Sequence, residues 1–352
     1  MSSSEKLSDV PDGVARLLCL CKFSGARGRY HGIGENRMLR YILRRIGQSI
    51  IVLFLVTLMV FLVMHAMPGD PVSLYLGPTA TPDQIQLYTK QFGFDQPVMV
   101  QYGKWLIGLF HGNMGRSIAF QEDVGPLLAQ RVGVTLSVTL PAFIIAVILG
   151  VFLGVIAAIN HGKAADSIIT SLANIGISMP IFWVGILLVY WLSLKMHWLP
   201  VQGYTPLSVD FNLGIKKLVM PVFVLALGPM AGFTRQTRSA MLEVTQQDYI
   251  RTARSKGLKE NTVIRRHALR NALIPIVTLL GMSISGLIGG TVLIEQLYVI
   301  PGVGSMMMTA ILNKDCMVVQ DTVFFIAAVV AGCNLIVDIL YGYIDPRIRA
   351  EN

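Results

Sequence analysis

Charge is scarce in this sequence, and acid is scarcer than base. Only 14% of the 352 residues are Asp, Glu, Lys or Arg, against 53% hydrophobic. A soluble globular chain carries about a quarter charged residues to meet water, so an ordinary soluble domain is excluded. The four cysteines, Cys19, Cys21, Cys316 and Cys333, have no disulfide-framework spacing, and Cys-x-Cys alone is a weak metal signal. No H-E-x-x-H occurs, which removes the zinc-peptidase pattern. Gly281-Met-Ser283 suggests a serine nucleophile only faintly, because the last histidine is His267, in a basic loop. A carboxylate dyad needs two buried acids, and Asp338 is the only acidic residue well inside an expected span. The phosphate loop G-x-x-x-x-G-K-[ST] is missing too: Gly162-Lys163-Ala164 lacks both the preceding glycine and the hydroxyl for magnesium. Any ATP chemistry therefore belongs to another chain. Nothing resembles a carbonyl filter or a ring of acids. An ion channel or an intramembrane enzyme is the alternative of a different class.

What the chain has is long apolar sequence. Mean hydropathy is +0.61, and a crossing helix needs about 20 apolar residues at about 1.5 Å each. Six runs meet or approach that length: Ile46 to Met67, Val134 to Ile159, Ser171 to Leu194, Leu218 to Thr234, Ala272 to Ile294 and Thr322 to Ile344. The fold class is all-α, a polytopic membrane protein of six transmembrane helices, with Pro221 and Pro229 predicting kinks in the fourth. Gly150-x-x-x-Gly154 and Gly286-x-x-x-Gly290 offer close helix approach, although glycine is common in such spans anyway. The formal charge of +9 gathers beside apolar runs, which fits a lipid bilayer with cytoplasmic flanks and not nucleic acid. Arg40, Arg44 and Arg45 precede the first run, and residues 235–271 net +6; both belong to the cytoplasmic side. Residues 68–132 net −1 and form a large extracytoplasmic loop. Lys195, Lys216 and Lys217 count against this scheme, but parity keeps both termini cytoplasmic. Residues 1–37 are polar apart from Leu17 to Leu20, too brief for a span, and read as a disordered cytoplasmic extension. The remaining 38–352 is the membrane domain.

Within 235–271 the stretch "RTARSKGLKENTVIRRHALRN" interrupts the apolar sequence. Asp248 to Lys256 has no Pro or Gly and suits a helix, with Asp248 favourable at its start. Gly257 fits the left-handed position that ends one. A second helical run follows from Glu260 to Arg270. Ile250, Ala253, Leu258, Val263, Ile264 and Leu269 form an apolar face available for docking on another protein. A basic amphipathic helix on anionic lipid would look the same on these grounds.

The stretch resembles the permease motif of ATP-binding-cassette importers, Glu-Ala-Ala, three residues, Gly. Here Arg251-Thr252-Ala253 and Gly257 hold those places, with Thr252-Ala253-Arg254-x-Lys256-Gly257 in the form of the dipeptide, oligopeptide and nickel branch. Further similarities, in order, are Pro68-Gly-Asp-Pro71, "FGFDQP" from Phe92, "GNMGRS" from Gly112, "HALRNALIP" from His267, Pro301-Gly-Val-Gly304 and "NLIVDILYGYIDPRIR" from Asn334. Cys316-Met317 and Gly133 depart from the branch pattern, both toward the outside. The resemblance implies a binding-protein-dependent inner membrane permease in a bacterial plasma membrane. Its implied partners are a homologous second permease, two ATPase subunits holding ATP and magnesium, and an extracytoplasmic substrate-binding protein. It implies that Asp248, Tyr249, Arg251, Thr252, Ala253, Arg254, Lys256, Gly257 and Leu258 couple the chain to an ATPase. The cargo is a peptide or a related small solute, with a nickel chelate or glutathione the alternatives within the branch. Neither cofactor nor metal is expected in this chain.

Asn334 and Asp338, four apart, share a helical face. A carboxylate in a span is costly, so Asp338 is expected to line the pathway or, in preference, lock the bundle. His65 reads as interfacial, and Met306 to Met308 as packing.

Overall fold

The structure is a computed structural model that describes residues 30–66, 71–77 and 80–344. The larger of its two compact units runs from Ile51 to Val337, and the smaller takes in the described residues up to Ile50 and from Asp338. Helix α1, Tyr30–Ala66, begins eight residues before Met38; residues 1–29 of the expected extension lie outside the described residues. Short helices follow: α2 (Pro71–Leu76), α3 (Pro82–Phe92) and α4 (Val98–Phe110). The expected loop 68–132 is thus largely helical. Helix α5, Val124–Ile159, starts ten residues before the sequence reading placed its span.

The third span is broken. Helix α6 (Ala164–Ser178) turns by 103° into α7, Ile181–Lys195, whose last seven residues form a π turn. The cause is local. Pro180 forces the residue before it out of the helical region, and Met179 sits extended at φ −79°, ψ 133°. Helix α8, Phe211–Thr245, is opened by Asp210, whose Oδ1 accepts from the Leu213 N–H at 3.0 Å. It stays helical through both Pro221 and Pro229 and runs eleven residues past Thr234. Then come α9 (Asp248–Ser255), α10 (Glu260–Thr262, a π turn Val263–Ala268, and Leu269–Ala272), α11 (Ile274–Leu297), α12 (Val303–Leu312) and α13 (Cys316–Ile344). Among the described residues five helices are long and apolar enough to cross a bilayer, six with the bent pair counted as one span. Exposed Trp183, Tyr190 and Trp191, with Lys195 5.7 Å from the Tyr190 ring and Trp198 exposed just beyond, give α7 the aromatic-cationic edge of a membrane interface.

The main packing seam joins α5 to α8. Ala142, Ala146, Gly150, Gly154 and Ala157 are buried along α5, and Leu218, Val224, Leu225 and Phe233 meet them from α8. A Cβ on Gly150 would overlap Phe233 Cβ and the Met230 carbonyl oxygen; on Gly154 it would overlap the Thr234 oxygen and Thr237 Cβ. Between helices in lipid, attraction comes from close packing, so small residues set the approach. Gly286, the start of the second spaced pair, has open space around it. Gly154→Leu is therefore expected to lower the melting temperature of the purified chain by about 1–3 kcal/mol worth of overpacking, while Gly286→Ala leaves it near the parent value. A thermal melt in detergent compares the two.

Candidate functional site

The basic segment folds as helix, glycine turn, helix. Helix α9 ends as expected: Gly257 has φ +78° and its N–H donates to the Arg254 carbonyl at 2.9 Å. Nothing lies within 4 Å of where its Cβ would be, so the left-handed backbone and not crowding selects glycine there. Arg254 and Glu260 clasp across the turn, Nη2 to Oε1 at 2.7 Å and Nε to Oε2 at 3.2 Å. The guanidinium holds the Glu260 carboxyl below its ordinary value. That clasp is therefore intact above the ordinary glutamate range and opens only as pH falls through the lowered value. Asn271 Nδ2 donates to the Tyr249 hydroxyl at 2.9 Å, a second tie between the two helical pieces.

The expected docking face needs correction. Ile250, Ala253 and Val263 do not point outward; they are buried with Ala158, Ala240, Met241, Ala268 and Ala272 of the same chain. Ile264 and Leu269 pack on that cluster, and only Leu258, 41% exposed, stays out. The surface that remains is polar and cationic: Asp248, Tyr249, Arg251, Thr252, Arg254, Lys256, Gly257 and Leu258 are all exposed. Asp248 and Arg251 approach at 3.7 Å, but both are largely solvated, so the pair adds little. The segment thus has its apolar side fixed to α5 and α8 and its charged side free. Next to it, Arg238 of α8 grips the buried Asp166 at the start of α6 through Nη2 to Oδ2 at 2.8 Å and Nε to Oδ1. The Gly162 N–H donates to the same carboxylate at 3.1 Å. Arg238, counted in the sequence as loop charge, is a helix-to-helix tie.

More acids are buried than the sequence reading counted, although they lie at the ends of spans and not well inside them. Glu295 of α11 and Asp321 of α13 are wholly buried, and so is Asp315 just before α13. The exclusion of a carboxylate dyad by count therefore fails; each acid instead has its own donors. Glu295 accepts from the Thr135 hydroxyl at 2.6 Å and from the Ser305 N–H, in the first turn of α12, at 2.8 Å. The Pro301-Gly-Val-Gly304 turn closes over it, since a side chain at Gly302 would overlap the carboxylate. Asp315 takes the Ser117 hydroxyl at 2.6 Å and the Ala119 N–H at 2.9 Å, so "GNMGRS" folds onto it. Trp105 Nε1 donates to Asp321 at 2.8 Å, leaving the second Asp321 oxygen without a partner among the described residues. The sequence signal was there: Glu295 and Asp321 sit one residue beyond the expected span ends. Asn334 is exposed on α13, and the Asp338 side chain lies outside the described residues. Among the described residues no cluster of His, Cys, Asp or Glu could hold a metal ion.

Two family models match the sequence. "Binding-protein-dependent transport system inner membrane component" covers residues 150–350, and its N-terminal companion covers 38–139. A Brucella abortus protein named for a peptide transport system permease is 43% identical over 315 residues, 89% of this chain and all of the relative. Oligopeptide transport system permease protein AppB of Bacillus subtilis is 40% identical over the same coverage. In three dimensions a chain of the inward-facing methionine transporter MetNI aligns with TM-score 0.51 at 17% identity, over 62% of this chain and 96% of that one, which is a likeness of fold.

Removing the Glu295 carboxylate tests whether it knits α5, α11 and α12. Glu295→Ala strands a hydroxyl and an N–H at about 1–3 kcal/mol each, and is expected to lower the melting temperature well below that of Glu295→Gln, which keeps an acceptor.

Proposed function

This chain belongs to the binding-protein-dependent transport system inner membrane component family and is a multi-pass permease of an ATP-binding-cassette importer; we propose that its cargo is peptide and that the α9–α10 segment receives work from an ATPase. Peptide is favoured because relatives at 43% and 40% identity over their full length carry peptide-transport names. In this reading two ATPase subunits below bind ATP and magnesium, a homologous permease sits beside the chain, and a binding protein delivers cargo from outside. The termini and the basic segment face the cytoplasm, where the positive-inside bias puts them.

One observation carries the coupling role: α9 is fastened on one side and free on the other. Ile250 is fully buried against the cluster that includes Met241 of α8 and Ala158 of α5, an anchor of about 1.5–3 kcal/mol. A push on the exposed Tyr249, Arg251 and Thr252 therefore reaches the α5–α8 seam instead of bending a loose loop. Rocking packed helices as bodies then gives alternating access. The Arg254–Glu260 clasp and the Asn271–Tyr249 hydrogen bond both span the turn at Gly257.

Gly257→Trp tests this: the left-handed backbone at φ +78° costs any side chain about 1–2 kcal/mol, but no atom lies within 4 Å of its Cβ, so the strain stays local while a large side chain enters the docking surface. Proteoliposomes of the assembled transporter should keep ATP hydrolysis and lose most peptide uptake. Undiminished uptake would remove the role assigned to the segment.

A further inference from the structure

Away from the basic surface, a cavity of about 200 Å³ opens between α1, α4 and the start of α13. Phe61, Trp105, Met114 and Met317 give it apolar walls. Most of its polar groups are already engaged. The Trp105 N–H goes to Asp321, and His65 reaches the Phe61 carbonyl at 2.9 Å and Gln101 Oε1 at 3.1 Å. Gln101 Nε2 donates to the carbonyls of Phe94 and Gln96.

Three groups are left over, the first being Gln96 Oε1, a buried acceptor on the cavity wall with no partner among the described residues. Gln320 is 2% exposed and lines the cavity, and its amide has no hydrogen-bond partner among the described residues. Native folds satisfy nearly all such buried groups, so an unmatched amide facing a void points to a missing ligand. Lys104 brings its side chain to the same cavity and forms no ion pair with a described acid. Cys316 and Met317, one of the two places where the sequence departs from the pattern it resembles, are part of the same wall.

We infer that this cavity holds the C-terminal residue of a short apolar peptide. A primary amide both donates and accepts, as a peptide unit requires of its partner. The ammonium answers a free carboxylate, and the aromatic and thioether walls answer an apolar side chain. The volume suits one terminal residue and not a whole oligopeptide. Choosing a peptide among amide-bearing acids rests on the transport reading above. A fatty acid shares the carboxylate and the apolar body but has no amide for Gln320.

The test uses the full-length chain in nanodiscs with its copurifying partners, and equilibrium dialysis of radiolabelled leucyl-leucine. Saturable binding is expected, weakened at least ten-fold by Lys104→Met, by Gln320→Leu, and by capping the dipeptide as its carboxamide. Laurate should not displace it. Lys104 is exposed, so its substitution keeps the fold even where Gln320→Leu disturbs it. Binding indifferent to Lys104→Met, a carboxamide that binds as well as the acid, or laurate as the tighter ligand overturns the inference. ATP-driven uptake measured on the same preparation separates the two readings. Peptide uptake without dipeptide in the cavity defeats the cavity alone. Dipeptide held with these dependences, but no peptide ever carried, supports the cavity and defeats the transport reading.

Discussion

The approach of α5 to α8 at Gly150 and Gly154 is the contact on which the rest of the bundle depends. Lipid tails are as apolar as leucine, so no hydrophobic force selects one helix pairing over another inside a bilayer. Selection falls to shape, and here backbone meets side chain where a Cβ would not fit. From that seam α8 reaches three ways. Arg238 ties it to the α5–α6 corner, Met241 to α9, and Ala231 to Gly176 of α6. A change at the seam is felt at the basic surface because the same helix supports both.

Much of this was legible in the sequence, for reasons that differ by element. The helix–glycine–helix of the basic segment was readable because Gly257 and the absence of other breakers between Asp248 and Lys256 are local facts, and local facts decide local backbone. Which side of that helix faces inward was not readable. An apolar stripe with Ile250 and Ala253 serves equally well for a partner's groove or for the chain's own core, and only α5 and α8 settle the matter. The break at Pro180 was a visible proline in an otherwise continuous apolar run, yet Pro141, Pro221 and Pro229 sit inside unbroken helices. Proline marks where a helix can fail; its neighbours determine whether it does.

The buried acids show a different limit. Hydropathy ends a span at the first charge, so the expected fifth and sixth spans stopped at Ile294 and started at Thr322, each one residue short of a carboxylate. Three dimensions supply what composition does not: Thr135, Ser117 and Trp105, far away in the chain, bring the donors that make Glu295, Asp315 and Asp321 tolerable indoors. Motifs that look separate along the chain become one layer. "GNMGRS" closes on Asp315, and the turn at Pro301 closes on Glu295.

The corner at Met179–Pro180 also bears on how such a chain is made. Each arm of the bent pair has fifteen residues, which at about 1.5 Å apiece falls well short of a hydrocarbon core of about 30 Å. Neither arm is long enough for lipid to retain it alone. Gly176 rests on Ala231, a residue synthesised more than fifty positions later. The bent pair thus has its packing partner on a helix made later, so its final place in the bundle is fixed only once α8 is there to hold it.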